Sequence, residues 1–117
     1  MARLLTHVLD TSRGAPAAGV VIELHALADG SRRRVAGATT NEDGRTDAPL
    51  LAGDQLGAGI YEITFHVGDY FRRMGVALTN PPFLDHVVIR IGVADAAGAY
   101  HVPLLISPYG YSTYRGS

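Results

Sequence analysis

The sequence predicts an all-β fold, a two-sheet antiparallel β-sandwich of seven or eight strands with one short helix. The first observation behind this prediction is a set of short segments in which apolar and polar residues alternate with the period of two expected for half-buried strands. The second is the supply of turn residues, because 14 glycines and six prolines occur among 117 residues. Many of them separate the apolar segments, and short strands divided by frequent turns are typical of sandwiches and barrels.

Three strands are predicted in the N-terminal part of the chain, at residues 4–10, 19–27 and 32–40. In the first of these, Leu4 and Val8 share one face. The opposite face then carries Leu5, His7 and Leu9. The second strand alternates most regularly and ends at an Asp-Gly turn. Three successive arginines open the third strand, which indicates a solvated edge of a sheet.

Four strands are predicted in the C-terminal part, at residues 60–67, 86–94, 99–106 and 111–115. They follow a loop at residues 46–59 that has room for one short strand. The single helix is predicted at Tyr70–Met74, with Asp69 as its N-cap, because an aspartate oxygen can accept bonds from the first free backbone amides. Two successive prolines after Asn80 end whatever precedes them.

Length and composition narrow the class of protein. A chain of 117 residues has the size of one domain, predicted to span residues 1–117. It has no cysteine, ten basic and eleven acidic residues, so neither a disulfide framework nor a nucleic-acid or membrane partner is expected. The first three residues lead directly into a strand-like segment without a signal-peptide pattern, and the expected location is cytoplasmic.

Two of the predicted strands are apolar on both faces. The face of residues 99–106 expected to meet the core carries Tyr100, Val102, Leu104 and Ile106. The opposite face then holds His101, Pro103 and Leu105, just as the first strand places His7 beside Leu5 and Leu9. A solvated face rarely carries leucine at this density. We therefore expect these outer faces to contact another subunit, each bringing a histidine to the contact.

Five histidines are candidates for proton transfer near neutral pH. His25, His66 and His86 lie on polar faces or at a strand start and are predicted to be solvated surface residues. For His7 and His101, a packed or interface role is the alternative to a catalytic one. Since the histidines lack helical metal-ligand spacing and no phosphate-binding loop is present, no metal and no cofactor are expected.

Three motifs, in this order, carry a family resemblance: LTHVLDT at Leu5–Thr11, followed by GAPA; TNEDGR at Thr40–Arg45; and HVPLLISPYGYSTYRGS at His101–Ser117. With them the chain resembles the 5-hydroxyisourate hydrolases, transthyretin-like enzymes of purine and urate breakdown. The last four residues, Tyr114–Ser117, match the tetrapeptide that separates these hydrolases from transthyretin. The resemblance implies a transthyretin-like topology and a homotetramer with active sites at subunit interfaces.

The resemblance also implies a site, lined by His7, Arg45, His101 and Ser117. Water would attack a ring amide carbonyl of 5-hydroxyisourate, and the ring would open to 2-oxo-4-hydroxy-4-carboxy-5-ureidoimidazoline, the reaction of a cyclic amide hydrolase. One histidine would take the proton of the water, and Arg45 would bind substrate and stabilise the oxyanion. The second histidine or the Ser117 hydroxyl would protonate the leaving nitrogen. Which histidine is the base stays open.

The tail residues have a second interpretation. Tyr114 and Arg115 are expected to shape the substrate pocket together with Ser117, which would bring a hydroxyl and an α-carboxylate to it. Strand packing and a surface charge are the alternative roles for the tyrosine and the arginine. Two rival functions also remain: a transthyretin-like carrier of a small aromatic ligand, and a structural or adhesive module. The presence of both histidines and Arg45 favours the enzyme.

Overall fold

The computed structural model describes residues 2–117 and confirms the two-sheet sandwich. Within these residues it contains nine strands and one α-helix. Their bounds are β1 Arg3–Asp10, β2 Ala15–Pro16, β3 Val21–Ala28, β4 Ser31–Thr39, β5 Leu51–Ala52, β6 Gly59–His66, α1 Val67–Arg73, β7 His86–Val93, β8 Ala99–Ser107 and β9 Gly110–Thr113. Seven of the strands correspond to predicted ones. The other two, β2 and β5, are two residues long and pair with β1.

The strands form two sheets. One has the order β2-β1-β8-β9, with β5 beside the start of β1, and the other has the order β4-β3-β6-β7. All neighbours are antiparallel except β1 and β8, which run parallel. Most of the chain lies between β1 and β8, so it supplies the long connection that a parallel pair requires. The strand that carries His7 and the strand that carries His101 therefore lie side by side.

The core lies between the sheets and under the helix. Alternate residues of β1, β3, β6 and β8 point into it, as the period of two predicts. Burial of each such aliphatic or aromatic side chain stabilises the fold by about 1.5–3 kcal/mol. The largest fully buried side chains are those of Tyr70, Phe65, Phe71, Leu4, Ile22, Leu24, Ile63, Leu104 and Ile106.

The predicted N-cap of the helix is wrong. The helix begins at Val67, two residues before Asp69, and its N-cap position is His66, whose side chain makes no capping bond. Packing decides this start, because Val67 is buried and the Gly68 amide donates to the Asp85 carbonyl oxygen at 2.8 Å. Asp69 instead lies in the first turn of the helix, where a carboxylate still interacts favourably with the helix dipole.

Among the described residues, no helix has the length and apolar character that crossing a membrane requires.

Two of the three histidines predicted to be solvated are partly covered. The His66 side chain is only 19% exposed, and its Nε2 lies 2.7 Å from a carboxylate oxygen of Glu23. Its ring also stacks on that of His86, with 4.1 Å between ring centroids. His25 is half-buried as well, whereas His86 is exposed as predicted. The prediction for His66 and His25 is therefore wrong, because it did not include side-chain contacts across neighbouring strands.

A buried polar cluster joins the end of β1 to the helix. Asp10 is fully buried, and its carboxylate accepts bonds from the backbone amide and hydroxyl of Ser12 and from the Tyr70 hydroxyl, the last at 2.9 Å. Arg13 in turn donates to the Tyr70 hydroxyl at 3.1 Å. Burial, followed by the bond to Asp10, raises the pKa of Tyr70. The phenol therefore keeps the proton that it donates to the carboxylate.

Removing the Tyr70 hydroxyl is expected to destabilise the protein. In Tyr70→Phe, one oxygen of the buried Asp10 carboxylate loses its donor, which costs about 1–3 kcal/mol. Urea unfolding at neutral pH measures this as a lower midpoint. Tyr109→Phe is the matched control, because that side chain is 62% exposed and its change should stay within about 0.5 kcal/mol. Equal midpoints for the two variants would contradict the role assigned to the cluster.

Candidate active site

The two histidines of the predicted site lie on the same face of one sheet. In the parallel pair, Leu5 is opposite His101 and His7 is opposite Pro103. The intervening residues, such as Thr6, face the core and are buried. His7 and His101 are therefore diagonal neighbours, about 8 Å apart at their Cα atoms from strand spacing and rise. This separation leaves room for a small group between the two imidazoles.

A tight turn brings Arg45 to His7. The Asn41 side-chain oxygen accepts bonds from the backbone amides of Asp43 and Arg45 at 2.9 and 3.2 Å. Gly44 has a φ of +76°, and a Cβ on it would lie 2.3 Å from the Val8 carbonyl oxygen. Only glycine fits this close approach. Arg45 consequently pairs with His7 in an isolated bridge.

The C-terminal residues complete the cluster. Beyond β9, Gly116 pairs with His101, and its amide donates to the His101 carbonyl oxygen at 2.8 Å. A Cβ on Gly116 would lie 2.7 Å from His101 Nδ1, so the tail backbone packs directly on the imidazole. Ser117 then lines a cavity of about 110 Å³ that His101 also lines. Of the predicted site residues, His7, Arg45, His101 and Ser117 thus meet on one face.

The other two tail residues lie elsewhere. The Arg115 guanidinium stacks over the Tyr100 ring, 4.4 Å from its centroid, and donates to the Ala99 carbonyl oxygen at 3.3 Å. Tyr114 is 58% exposed. Both line a cleft of about 320 Å³ between β7 and β8, together with core residues such as Val102. These contacts fix the path of the tail, and a direct role in substrate binding stays a prediction for both residues.

The two histidines differ in their hydrogen bonding. His7 Nε2 lies 2.8 Å from the Asp43 carbonyl oxygen. A carbonyl oxygen only accepts, so this nitrogen carries a proton. His101 Nε2 is buried and has no partner among the described residues. A buried nitrogen left without a partner is costly, and this one lies in a cluster of polar groups.

The surroundings of His101 favour its neutral form. Burial lowers its pKa below the ordinary 6.5, and the nearby positive charges of Arg45 and His7 lower it further. Each of these effects disfavours the imidazolium form. At neutral pH the unpartnered Nε2 can therefore offer a lone pair. The arrangement combines a neutral imidazole with a guanidinium that makes no ion pair among residues 2–117.

Sequence reasoning missed two residues near this cluster. Arg3 and Leu5 line the same cavity as His101 and Ser117. The alternation of β1 could have revealed them, because Arg3 and Leu5 lie four and two residues before His7 and therefore share its face of β1.

Within the described residues, no three His, Asp or Glu side chains are grouped closely enough to hold a metal ion.

Fold and site together define a transthyretin-like β-sandwich with an imidazole and guanidinium cluster on the outer face of one sheet. A sequence profile of the HIUase/Transthyretin family matches residues 4–116, and the chain belongs to this family. It is 56% identical to the 5-hydroxyisourate hydrolase of Ralstonia nicotianae (strain ATCC BAA-1114 / GMI1000) over 117 residues, which cover all of both chains.

Two solved structures extend the comparison. The 5-hydroxyisourate hydrolase of Klebsiella pneumoniae superposes with a TM-score of 0.82 at 36% identity, over 99% of this chain and 100% of that one. An (S)-allantoin synthase superposes with a TM-score of 0.93 at 43% identity, over 99% of this chain. This chain spans 44% of the length of that synthase. The predicted topology and the predicted family are thereby confirmed.

Proposed function

We propose that the protein is a 5-hydroxyisourate hydrolase, which opens the six-membered ring of its substrate with water. The product would be 2-oxo-4-hydroxy-4-carboxy-5-ureidoimidazoline. The observation that carries this proposal is the packing of Gly116 against His101, which shares a cavity with Ser117, on the face where His7 pairs with Arg45. The hydrolase relatives at 56% and 36% identity support the choice of substrate.

His101 is the base in this proposal. Its Nε2 is unpartnered, and its lowered pKa favours the neutral, basic form of the ring. A water molecule beside Nε2 gives up a proton as its oxygen attacks the ring carbonyl. In His7, Nε2 donates to the Asp43 carbonyl oxygen, so only its Nδ1 can offer a lone pair.

Arg45 stabilises the charge that develops on the attacked carbonyl oxygen. Its guanidinium is permanently charged and carries several donors in one plane. It makes no ion pair within residues 2–117, so its donors remain available to substrate. The turn at Asn41 and Gly44 fixes the Arg45 backbone from which the guanidinium extends, and donors aimed at a developing oxyanion stabilise it strongly.

The proton taken from water returns to the leaving ring nitrogen. Protonated His101 can deliver it directly, or the Ser117 hydroxyl in the same cavity can relay it. The hydroxyl accepts one proton and donates another, so it ends the step unchanged. One water is consumed, one carbon–nitrogen bond breaks, and the products are an N–H and a carboxylic acid, which releases its proton to solvent as it becomes a carboxylate. Arg115 holds the tail in place through its stacking on Tyr100.

The pH dependence follows from His101. Because its pKa lies below 6.5 and the base acts in its neutral form, the acid limb of kcat/KM should have its midpoint below pH 6.5. In Arg45→Gln, loss of a nearby cation lets the pKa rise, so the residual activity should fall at a higher pH. Initial rates across this range provide the measurement. An acid limb whose midpoint lies at or above pH 6.5 in the wild-type protein would contradict the assignment.

We further propose that the protein is a single transthyretin-like domain that assembles as a homotetramer, with sites at subunit interfaces. The apolar residues Leu5, Leu9 and Leu105 support this. They lie on the outer face of the sheet that carries His7 and His101, and apolar residues on an outer face mark a contact surface. The edges of β7 and β9 also carry backbone groups open to pairing. Light scattering after size exclusion tests the assembly, and a monomer would reject it. A cytoplasmic location stays the prediction made from the sequence.

A carrier of small aromatic ligands is the second candidate, because the family includes transthyretin. The test generates 5-hydroxyisourate from urate with urate oxidase and follows its ultraviolet absorbance with and without the protein. Hydrolysis predicts decay faster than the spontaneous reaction. A decay rate unchanged by the protein would leave the carrier as the better candidate.

A further inference from the structure

A second arginine lies on the opposite side of His101 from Arg45. Arg3 lines the cavity of about 110 Å³ whose other polar members are His101 and Ser117. In the parallel pair of β1 and β8, Arg3 is opposite Ala99 and Leu5 is opposite His101. Arg3 therefore lies two residues before the level of His101 along β1. His7, which pairs with Arg45, lies two residues after that level. The two guanidinium-bearing positions are thus about 13 Å apart along β1, with His101 midway between them.

The backbone of Arg3 is fixed, although it lies near the start of the chain. It pairs with Ala52 of β5 on one side and with Ala99 of β8 on the other. Its amide donates to the Gly98 carbonyl oxygen at 3.2 Å. Chain ends are ordinarily mobile, but neighbours on both sides hold this position in register. The point from which the Arg3 side chain extends is therefore set by the sheet.

The guanidinium of Arg3 has no internal partner. Among residues 2–117, no carboxylate forms an ion pair with it and no acceptor bonds its side chain. The cavity lining contains no Asp or Glu side chain. The outer-facing side chain beside Arg3 in the sheet is the methyl of Ala99, which leaves the cavity open. An unpaired planar donor beside an open cavity matches a ligand with carbonyl or anionic oxygens.

We propose that Arg3 is a substrate-binding residue, which holds the carbonyl-bearing edge of the planar ring on the side of His101 away from Arg45. The inference rests on the proposed function and extends it. Two guanidinium groups at opposite ends then orient the ring, so that one carbonyl reaches Arg45 and the water beside His101. Orientation by fixed donors is a large part of catalysis of this kind.

The test compares Arg3→Gln with Arg33→Gln, a control that removes an exposed arginine from β4 on the other sheet. Loss of an exposed ionic contact changes affinity by about two- to fivefold. Arg3→Gln should therefore raise KM for 5-hydroxyisourate by that factor and leave kcat close to wild type, while the control changes neither. Calorimetry with urate, a planar purine with several carbonyls, should show the same two- to fivefold loss of affinity without any turnover.

A second variant tests the cavity itself. Ala99→Leu fills the space beside Arg3 with an outward-facing side chain and should raise KM and weaken urate binding at least as much as Arg3→Gln. An unchanged KM in Arg3→Gln, or a fall in kcat alone, would overturn the role of Arg3. An unchanged urate affinity in Ala99→Leu would overturn the use of the cavity. If the wild-type protein does not turn over 5-hydroxyisourate, the result rejects the proposed function itself.

Discussion

Replacement of His101 by asparagine is expected to lower kcat for 5-hydroxyisourate by a factor of about 10² to 10⁴. The amide has nearly the shape of half the ring, but it has no basic lone pair to take a proton from water. The tail should still pack, because the bond between Gly116 and residue 101 uses backbone atoms. KM should therefore change much less than kcat, and initial rates over a range of substrate concentration measure both.

His25→Asn is the matched control for this variant. His25 is also half-buried and also has one ring nitrogen, Nδ1, without a partner among the described residues. It lies on β3 of the other sheet, away from Arg45. If burial of an unpartnered imidazole were all that mattered, the two variants would behave alike. Equal effects on kcat would thus remove His101 from the role of base.

The second large effect is expected from a single methyl group on the tail. In Gly116→Ala, the new Cβ would lie 2.7 Å from His101 Nδ1 and 3.0 Å from its Cγ. Contacts this short force the ring or the tail backbone to move. A displacement of about 1 Å in a catalytic group costs about 10²-fold in rate. The expected result is a fall of that size in kcat/KM with the global stability nearly unchanged.

Gly110→Ala provides the comparison, at the first residue of β9. A Cβ there meets only the Ser107 hydroxyl oxygen, at 3.5 Å, which is ordinary contact. The control should keep activity within about twofold, since surface changes away from special contacts have small effects. If Gly116→Ala were as active as Gly110→Ala, close packing of the tail on His101 would not matter for catalysis.

Most of the fold could be predicted from the sequence because its signals are local. Alternation along β1, β3, β6 and β8 reports which face is buried, and turn residues report where strands end. The start of the helix could not be predicted in this way. Asp69 has good capping chemistry, but burial of Val67 and the contact between Gly68 and Asp85 place the start three residues earlier than predicted. Tertiary packing decides such boundaries.

The site could be predicted only in part, for a similar reason. Motif matching found His7, Arg45 and His101, and alternation placed the two histidines on the outer faces of their strands. The parallel register of β1 and β8, which makes them neighbours, depends on pairing across more than 90 residues. The same register adds Arg3 to the cavity beside His101. No local sequence pattern reveals this register, because the pairing of strands distant in sequence is a property of the whole fold.

The central claim is that the protein turns over 5-hydroxyisourate and does not merely bind it. The most direct measurement follows decay of the substrate at a protein concentration about one hundredth of the substrate concentration. The account predicts complete and accelerated decay, with a rate proportional to the amount of protein. It also predicts that the acceleration disappears in His101→Asn. Decay at the spontaneous rate, or a change limited to one substrate per protein, would contradict the account.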